Sequence, residues 1–245
     1  MWGGCAAFAL FVVTAVVVAV DPTPILGIGR WIKPSKFFIS IAIYMWTIGA
    51  YLYFLNPGEK FSRRISWAFN VIFAIEMTAI VGQPLRGTTS HFNIATPLDS
   101  AVFSIMGIAI LTSTLLAGYI AFRYFYDEVD LPPAVLWGMR LGLVIFLAGS
   151  AIGGYMSAHL SHTVGAADGG PGLTLVNWST TAGDLRIAHF LGLHALQAVP
   201  LFALVVEKLG LGSRTSLTVI FAALYLAAVG AVLVQAMMGR PLLAL

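Results

Sequence analysis

Long apolar runs separated by short polar stretches make up the hydrophobic pattern of this chain. A bilayer core of about 30 Å needs about 20 apolar residues per helix, and seven runs reach or approach that length. The predicted spans cover residues 3–20, 37–55, 66–83, 100–122, 134–159, 187–206 and 216–237. The pattern therefore predicts an all-α integral membrane protein, with residues 1–245 forming a single seven-transmembrane-helix bundle.

Composition supports the membrane assignment. Hydrophobic residues make up 59% of the chain, charged residues make up 9%, and the mean hydropathy is +0.92. Soluble domains have far more charge and far less apolar surface. The lipid bilayer is thus the expected partner of the apolar surface, and a homo-oligomer or a membrane-complex partner is compatible with it. The net charge of +3 comes from positive residues that flank the spans, so no nucleic-acid partner is expected.

The number of positive residues near the span ends on each side is the usual guide to membrane orientation. Each side of the membrane carries six Lys or Arg residues, so the positive-inside count is tied. Two of those on the side that holds the histidines, Arg86 and Arg186, lie in polar motifs and are candidates for function. Without these two arginines the opposite side carries more positive residues, which favours an outward-facing histidine side. We expect a multi-pass protein of the bacterial inner membrane.

All five histidines are predicted to lie at one membrane face. His91 follows span three, His159 and His162 close span five, and His189 and His194 open span six. If spans three and five run in the same direction, their carboxyl ends meet the amino ends of spans four and six at that face. The same face collects further polar candidates for catalysis or binding, namely Arg86, Asp99, Asp184 and Arg186.

Helical spacing limits what the histidine pairs can do. Successive helical residues are rotated by about 100°, so His159 and His162, at i and i+3, are predicted to share a face. His189 and His194, at i and i+5, point about 140° apart, and one metal could hardly take both from an unbroken helix. Asp184 is expected either to cap span six and pair with Arg186, or to join that arginine in binding a substrate.

Two features inside the spans also bear on function. Glu76 lies about seven residues, or on the order of 10 Å, below the histidine face, and an intramembrane carboxylate is a functional candidate by default. The alternative is a neutral glutamic acid hydrogen-bonded within the bundle. Gly149, Gly153 and Gly154 in span five predict a close helix-packing face, with room for a flat cofactor as the alternative.

The first functional hypothesis is a membrane redox protein with one b-type haem. Neutral imidazoles from different helices are good haem ligands, and the preferred pair is His159 or His162 with His194. Gly153 and Gly154 would then admit the flat ring. Quinone is the expected electron partner, and the propionates would bind Arg86 or Arg186.

The second hypothesis is a membrane-embedded zinc hydrolase of a lipid-like ester or amide. Glu76 or Asp184 would be the base, and three residues would hold Zn²⁺, drawn from His91, Asp99, His159, His162, His189 and His194. Ser90, His91 and Asp99 resemble part of the site of the seven-helix zinc hydrolases that include alkaline ceramidases and adiponectin receptors. Those proteins carry His-x-x-x-His on a helix, and the pair here is one residue too long.

A third hypothesis is non-enzymatic. Histidines at a membrane interface titrate near neutrality, which suits a transporter or a pH sensor. Glu76 would line the path of such a protein together with Pro200, whose ring removes a backbone donor from span six.

Overall fold

The structure, a computed structural model, describes residues 2–244. Within that range there are seven α-helices, each long and apolar enough to cross a membrane. They are α1 (Trp2–Val20), α2 (Ile32–Leu55), α3 (Glu59–Leu85), α4 (Pro97–Tyr126), α5 (Pro133–His159), α6 (Leu185–Lys208) and α7 (Arg214–Met237). The predicted all-helical class is confirmed, and the helices are those of a multi-pass integral membrane protein.

Two short antiparallel ribbons join the helices. β1 (Pro24–Ile25) pairs with β2 (Ile28–Gly29) after α1, and β3 (Thr163–Val164) pairs with β4 (Gly183–Asp184). The second ribbon holds the two ends of the long α5–α6 loop together, directly before the first residue of α6.

The helices extend beyond the predicted apolar spans. α3 begins at Glu59 rather than at residue 66, because Lys, Arg and Glu are good helix formers and the backbone hydrogen bonding continues through them. α5 ends at His159, since Leu160 adopts a left-handed conformation with a φ of 52°. His162 therefore lies outside the helix, and the prediction that His159 and His162 share a helical face is wrong.

The chain divides into two compact units. Unit 1 comprises the residues up to Leu52 together with 57–115, and unit 2 comprises residues 53–56 together with everything from Leu116 onward. In unit 1, α2 packs on α3 through Tyr44, whose ring meets Phe69 and Phe73 edge-on with centroids 5.7 and 5.4 Å away.

Unit 2 is built on the α5–α6 pair. A Cβ atom placed on Gly149 would lie only 2.6 Å from the carbonyl carbon of Gly192, so the two backbones touch where these glycines cross. α7 packs against α6, and the Tyr225 hydroxyl donates a hydrogen bond of 2.8 Å to the Leu191 carbonyl. This crossing positions the first turns of α6, which carry two of the histidines.

Candidate functional site

His189 is fixed by the α5–α6 crossing. Its Nδ1 donates a hydrogen bond of 2.8 Å to the Gly149 carbonyl on the neighbouring helix. Its ring fills the space beside Gly153, where an added Cβ would lie 2.7 Å from the imidazole Cε1. Because Nδ1 carries the proton, Nε2 of the neutral imidazole keeps its lone pair. The two glycines thus admit an imidazole from α6, and the room at Gly153 is taken by that ring rather than left open.

The third glycine predicted to pack is different. Gly154 is exposed, and nothing lies within 4 Å of a Cβ built on it. The packing prediction is therefore confirmed for Gly149 and Gly153 and wrong for Gly154, because the helix face that meets α6 does not include position 154.

His194 lies on α6 away from His189. Its ring stacks on Phe190 with the centroids 4.1 Å apart, and Phe190 in turn meets Trp178 of the loop edge-on at 5.7 Å. Nδ1 of His194 is buried and, within residues 2–244, makes no hydrogen bond of normal geometry, although it faces the Phe190 carbonyl. The α6 helix is continuous from Leu185 to Lys208, so the two histidines of this helix do not converge on one point.

His159, the last residue of α5, is exposed. Its ring stacks on Tyr155 with the centroids 4.0 Å apart, and its Nδ1 donates to the Tyr155 carbonyl at 2.9 Å. These contacts are local to one turn of α5. Both of these contacts of His159 are made within its own helix.

His162 lies in the loop between two carboxylates. Its Nδ1 is 3.4 Å from Asp168 and 3.9 Å from Asp184, and the Thr163 hydroxyl lies 3.1 Å from the same nitrogen. The His162 carbonyl accepts a hydrogen bond of 2.9 Å from the Leu185 amide. This bond places His162 beside the first residue of α6, four residues before His189.

Asp168 organises the loop around His162. Its carboxylate accepts hydrogen bonds from the Ser161 hydroxyl and from the backbone amides of His162 and Thr163, at 3.0 to 3.3 Å. Burial acts to raise the pKa of Asp168. The Thr163 and Ser161 hydrogen bonds and the charge of His162 outweigh that effect and hold the pKa below its usual range. Asp168 is therefore an ionised partner for this histidine.

Asp184 caps α6, as one of the two sequence interpretations expects. It is almost fully buried and accepts hydrogen bonds from the Arg186 amide at 3.0 Å and from the Ser179 amide at 2.8 Å. The Arg186 guanidinium pairs with it at 2.6 Å and also donates to the Asn177 carbonyl. The acid and the arginine thus neutralise each other and fasten the loop to the helix.

These residues form one constellation at the start of α6, called here the α5–α6 site. It consists of His162, Asp168, Asp184, Arg186 and His189. The sequence analysis assigned no role to Asp168. Its signal is the Asp-Gly-Gly-Pro run, because an aspartate that opens a turn commonly bonds nearby backbone amides.

Unit 1 holds a second polar cluster. Asp99, in the first turn of α4, accepts hydrogen bonds from Gln83 at 2.9 Å, from Arg86 at 3.0 Å and from Thr96 at 2.6 Å. Arg86 also donates to the Gln83 side-chain oxygen. Asp99 and Arg86 are therefore engaged with each other, which makes the pair a structural link between the end of α3 and the start of α4.

His91 belongs to unit 1 as well. Its Nδ1 lies 3.1 Å from the Ser90 hydroxyl, and its ring packs against Phe37 of α2 with the centroids 5.5 Å apart. The adjacent Ser90 is buried. Ser90 and His91 thus contact each other, whereas the Asp99 carboxylate binds Gln83, Arg86 and Thr96.

Glu76 is buried in α3, with 2% of its surface exposed. Its Oε1 has no hydrogen-bond partner among residues 2–244. The sequence alternative was a neutral glutamic acid hydrogen-bonded within the bundle, and Oε1 makes no such bond.

A metal site of three ligands is not assembled here. Across the described range, 2–244, no group of three or more His, Cys, Asp or Glu side chains is arranged to hold one metal ion. A haem needs only two protein ligands, so this finding bears on the zinc hypothesis more directly. Comparisons with protein-family models, curated proteins and solved structures find no match to this chain.

Proposed function

We propose that this protein is a membrane redox protein with one b-type haem at the α5–α6 site, which His189 and His162 would hold. The observation that carries the proposal is the hydrogen bond from His189 Nδ1 to the Gly149 carbonyl. Histidines that bind metals almost always donate their other ring nitrogen to a carbonyl or carboxylate, which fixes the ring and leaves a basic nitrogen for the metal.

His162 has the same kind of support. Asp168 faces its Nδ1 at 3.4 Å, as the Gly149 carbonyl faces Nδ1 of His189. The His162 carbonyl is hydrogen-bonded to the Leu185 amide. Leu185 lies about one helical turn, or about 6 Å of rise, before His189. The sequence preference was His159 or His162 with His194. The proposal keeps His162 rather than the exposed His159, and it takes His189 in place of His194, which lies on another side of α6.

The chain's own residues would set the electronic properties of the site. When bound, a haem supplies one-electron transfer between its ferric and ferrous states. Asp168 would increase the electron donation of His162, and the Gly149 carbonyl would do the same for His189. Arg186 is the cation closest in the chain to His189, and it would bind a propionate while keeping its bond to Asp184.

Quinone is the proposed electron partner. α7 bears an open groove of about 750 Å³ that is lined by small apolar residues such as Gly230 and by the polar side chains of Gln235 and Arg240. The carboxyl end of α7 contacts the β3–β4 ribbon, where a Cβ on Gly183 would clash with the Ala236 carbonyl. An apolar groove with a few polar groups suits a lipid-soluble ring with two carbonyls.

The test is the visible spectrum of the purified full-length protein, as isolated and after dithionite reduction, expressed with an adequate haem supply. We expect a Soret band that shifts on reduction, with one haem per chain. His189→Ala and His162→Ala should each abolish or shift the band, whereas His159→Ala, at an exposed position, serves as the matched control and should keep it. Loss of the band in His194→Ala but not in His189→Ala would overturn the ligand assignment, and a featureless spectrum from folded protein would overturn the haem.

A second candidate function is a pH sensor, and the position of His162 between Asp168 and Asp184 favours it. A protonated imidazole would form ion pairs with both carboxylates, with Arg186 as the competing cation. The loop should then resist proteolysis better at about pH 5 than at about pH 8. His162→Gln should remove that difference, and an unchanged pH dependence in the variant would contradict the sensor.

We further propose the bacterial inner membrane as the location, with the α5–α6 site facing outward. The support is the charge distribution, in which Arg86 and Arg186 are held by Asp99 and Asp184. Span seven ends on the histidine side, so a reporter fused after Pro241 reports the orientation. Alkaline phosphatase should be active there, and activity of a cytoplasmic reporter instead would reverse the orientation.

A further inference from the structure

Glu76 occupies a position that neither a haem nor the α5–α6 site uses. It lies in the interior of α3, on the buried face that also carries Phe69, Phe73 and Ile80. Only 2% of its surface is exposed, and its Oε1 makes no hydrogen bond within residues 2–244. A carboxyl group in the membrane part of a helix with an unpaired oxygen needs a ligand of its own.

The groups around Glu76 limit which kind of ligand its carboxyl group could bind. A divalent or transition metal would need several further donors, and Glu76 is in no group of three His, Cys, Asp or Glu side chains among residues 2–244. Lys33, in the first turn of α2, is a positive charge that acts on the carboxyl. A proton is the ligand that neutralises the carboxylate without further donors.

A polar cluster lies at the end of α3, two helical turns beyond Glu76. Gln83 is seven residues further along, which is two helical turns, so it shares the buried face with Glu76 at about 10 Å. Gln83 donates to Asp99, and Asp99 also binds the half-exposed Arg86. Ile80 is fully buried between the two levels, which separates Glu76 from the polar cluster by one apolar turn.

We propose that Glu76 is a proton-binding site in the membrane part of unit 1. The carboxyl group holds a proton at neutral pH and exchanges it through the polar cluster of Gln83, Arg86 and Asp99 beside the end of α3. The proposal is independent of the haem, since its residues all belong to unit 1 and its measurement does not use a cofactor.

The test is infrared spectroscopy of the full-length protein in detergent or lipid near pH 7. A protonated carboxyl group has a C=O stretching band that a carboxylate lacks. We expect the band in the wild-type protein, a shift of the band in D₂O, and its loss in Glu76→Gln. Glu59→Gln is the matched control, because Glu59 lies on the same helix with its side chain 92% exposed, and that variant should keep the band.

Two outcomes would overturn the proposal. The first is a wild-type spectrum without a band that Glu76→Gln removes, and the second is a band that keeps its position after equilibration in D₂O. If Glu76→Gln fails to fold, labelling of the wild-type protein by a hydrophobic carbodiimide replaces it. A protonated carboxyl adds its O–H across a C=N bond of the reagent and, after rearrangement, gains the mass of one carbodiimide. Peptide mass spectrometry should find that mass on Glu76, and its presence on Glu59 instead would overturn the site.

Discussion

Gly149→Ala should destabilise unit 2 strongly for a change of one methyl group. The added Cβ would lie 2.6 Å from the Gly192 carbonyl carbon and 2.9 Å from the Leu193 amide nitrogen. Both are backbone atoms that cannot rotate away, so α5 and α6 would have to separate. Separation would also lengthen the 2.8 Å hydrogen bond between His189 Nδ1 and the Gly149 carbonyl.

The magnitude follows from three effects. Overpacking costs about 1–3 kcal/mol, loss of a neutral hydrogen bond costs about 0.5–1.5 kcal/mol, and replacing glycine by alanine within a helix returns about 0.5–1 kcal/mol. The expected net loss in the free energy of unfolding is about 1–3 kcal/mol. A loss of about 1.4 kcal/mol already changes the ratio of folded to unfolded protein tenfold.

The assay is denaturant titration in mixed micelles, followed by far-ultraviolet circular dichroism. Gly154→Ala is the matched control on the same helix, since its added Cβ meets nothing within 4 Å. The control should be neutral or gain about 0.5–1 kcal/mol. Equal free energies of unfolding for the Gly149 and Gly154 variants would refute the close approach of α5 and α6 at this crossing.

Three further variants test the polar contacts. Asp184→Asn leaves the Arg186 guanidinium without its carboxylate and should cost about 2–3 kcal/mol, seen as faster proteolysis of the α5–α6 loop. Asp168 has a lowered pKa, so its contribution to stability is present above the usual Asp pKa and is lost as the pH falls through the lower folded value. Thermal unfolding between about pH 5 and pH 1 should therefore show a smaller pH dependence in Asp168→Asn, and an unaltered slope would contradict the assignment. Asp99→Asn removes the charge that pairs with Arg86 and should lower the midpoint of thermal unfolding, and an unchanged midpoint would show that this ion pair is dispensable.

The seven helices were predictable because each must present a long apolar surface to lipid, which requires a long run of mostly apolar consecutive residues. Their ends were less so. α3 runs back to Glu59 through charged side chains, since the hydrogen bonds of a helix do not depend on apolar side chains. α5 ends at His159, as the predicted span does, but the left-handed turn at Leu160 that takes His162 out of the helix has no signal in the periodicity of the sequence.

The site shows the same division between local and distant contacts. The capping of α6 by Asp184 was predictable, because the acid and its amide partner are two residues apart. The bond from His189 to Gly149 spans 40 residues, and one sequence does not say which helices are neighbours. Asp168 was missed as the partner of His162 for a related reason: its role depends on how the loop folds back after the helix ends.

Two sets of paired backbone segments, one inside the other, change the entropic cost of closing the long α5–α6 loop. The β3–β4 ribbon joins Thr163 to Asp184, and a second bridge joins Gly172 to Ser179 around a tip whose Leu175 is 68% exposed. The loop is thereby closed in short stages, and the entropy of bringing α5 and α6 together does not have to be met across the whole segment at once. Each doubling of the length of a flexible loop costs only about 0.6 kcal/mol of closure free energy. Residues added at Leu175 would therefore lengthen the tip alone and leave α5 and α6 in register.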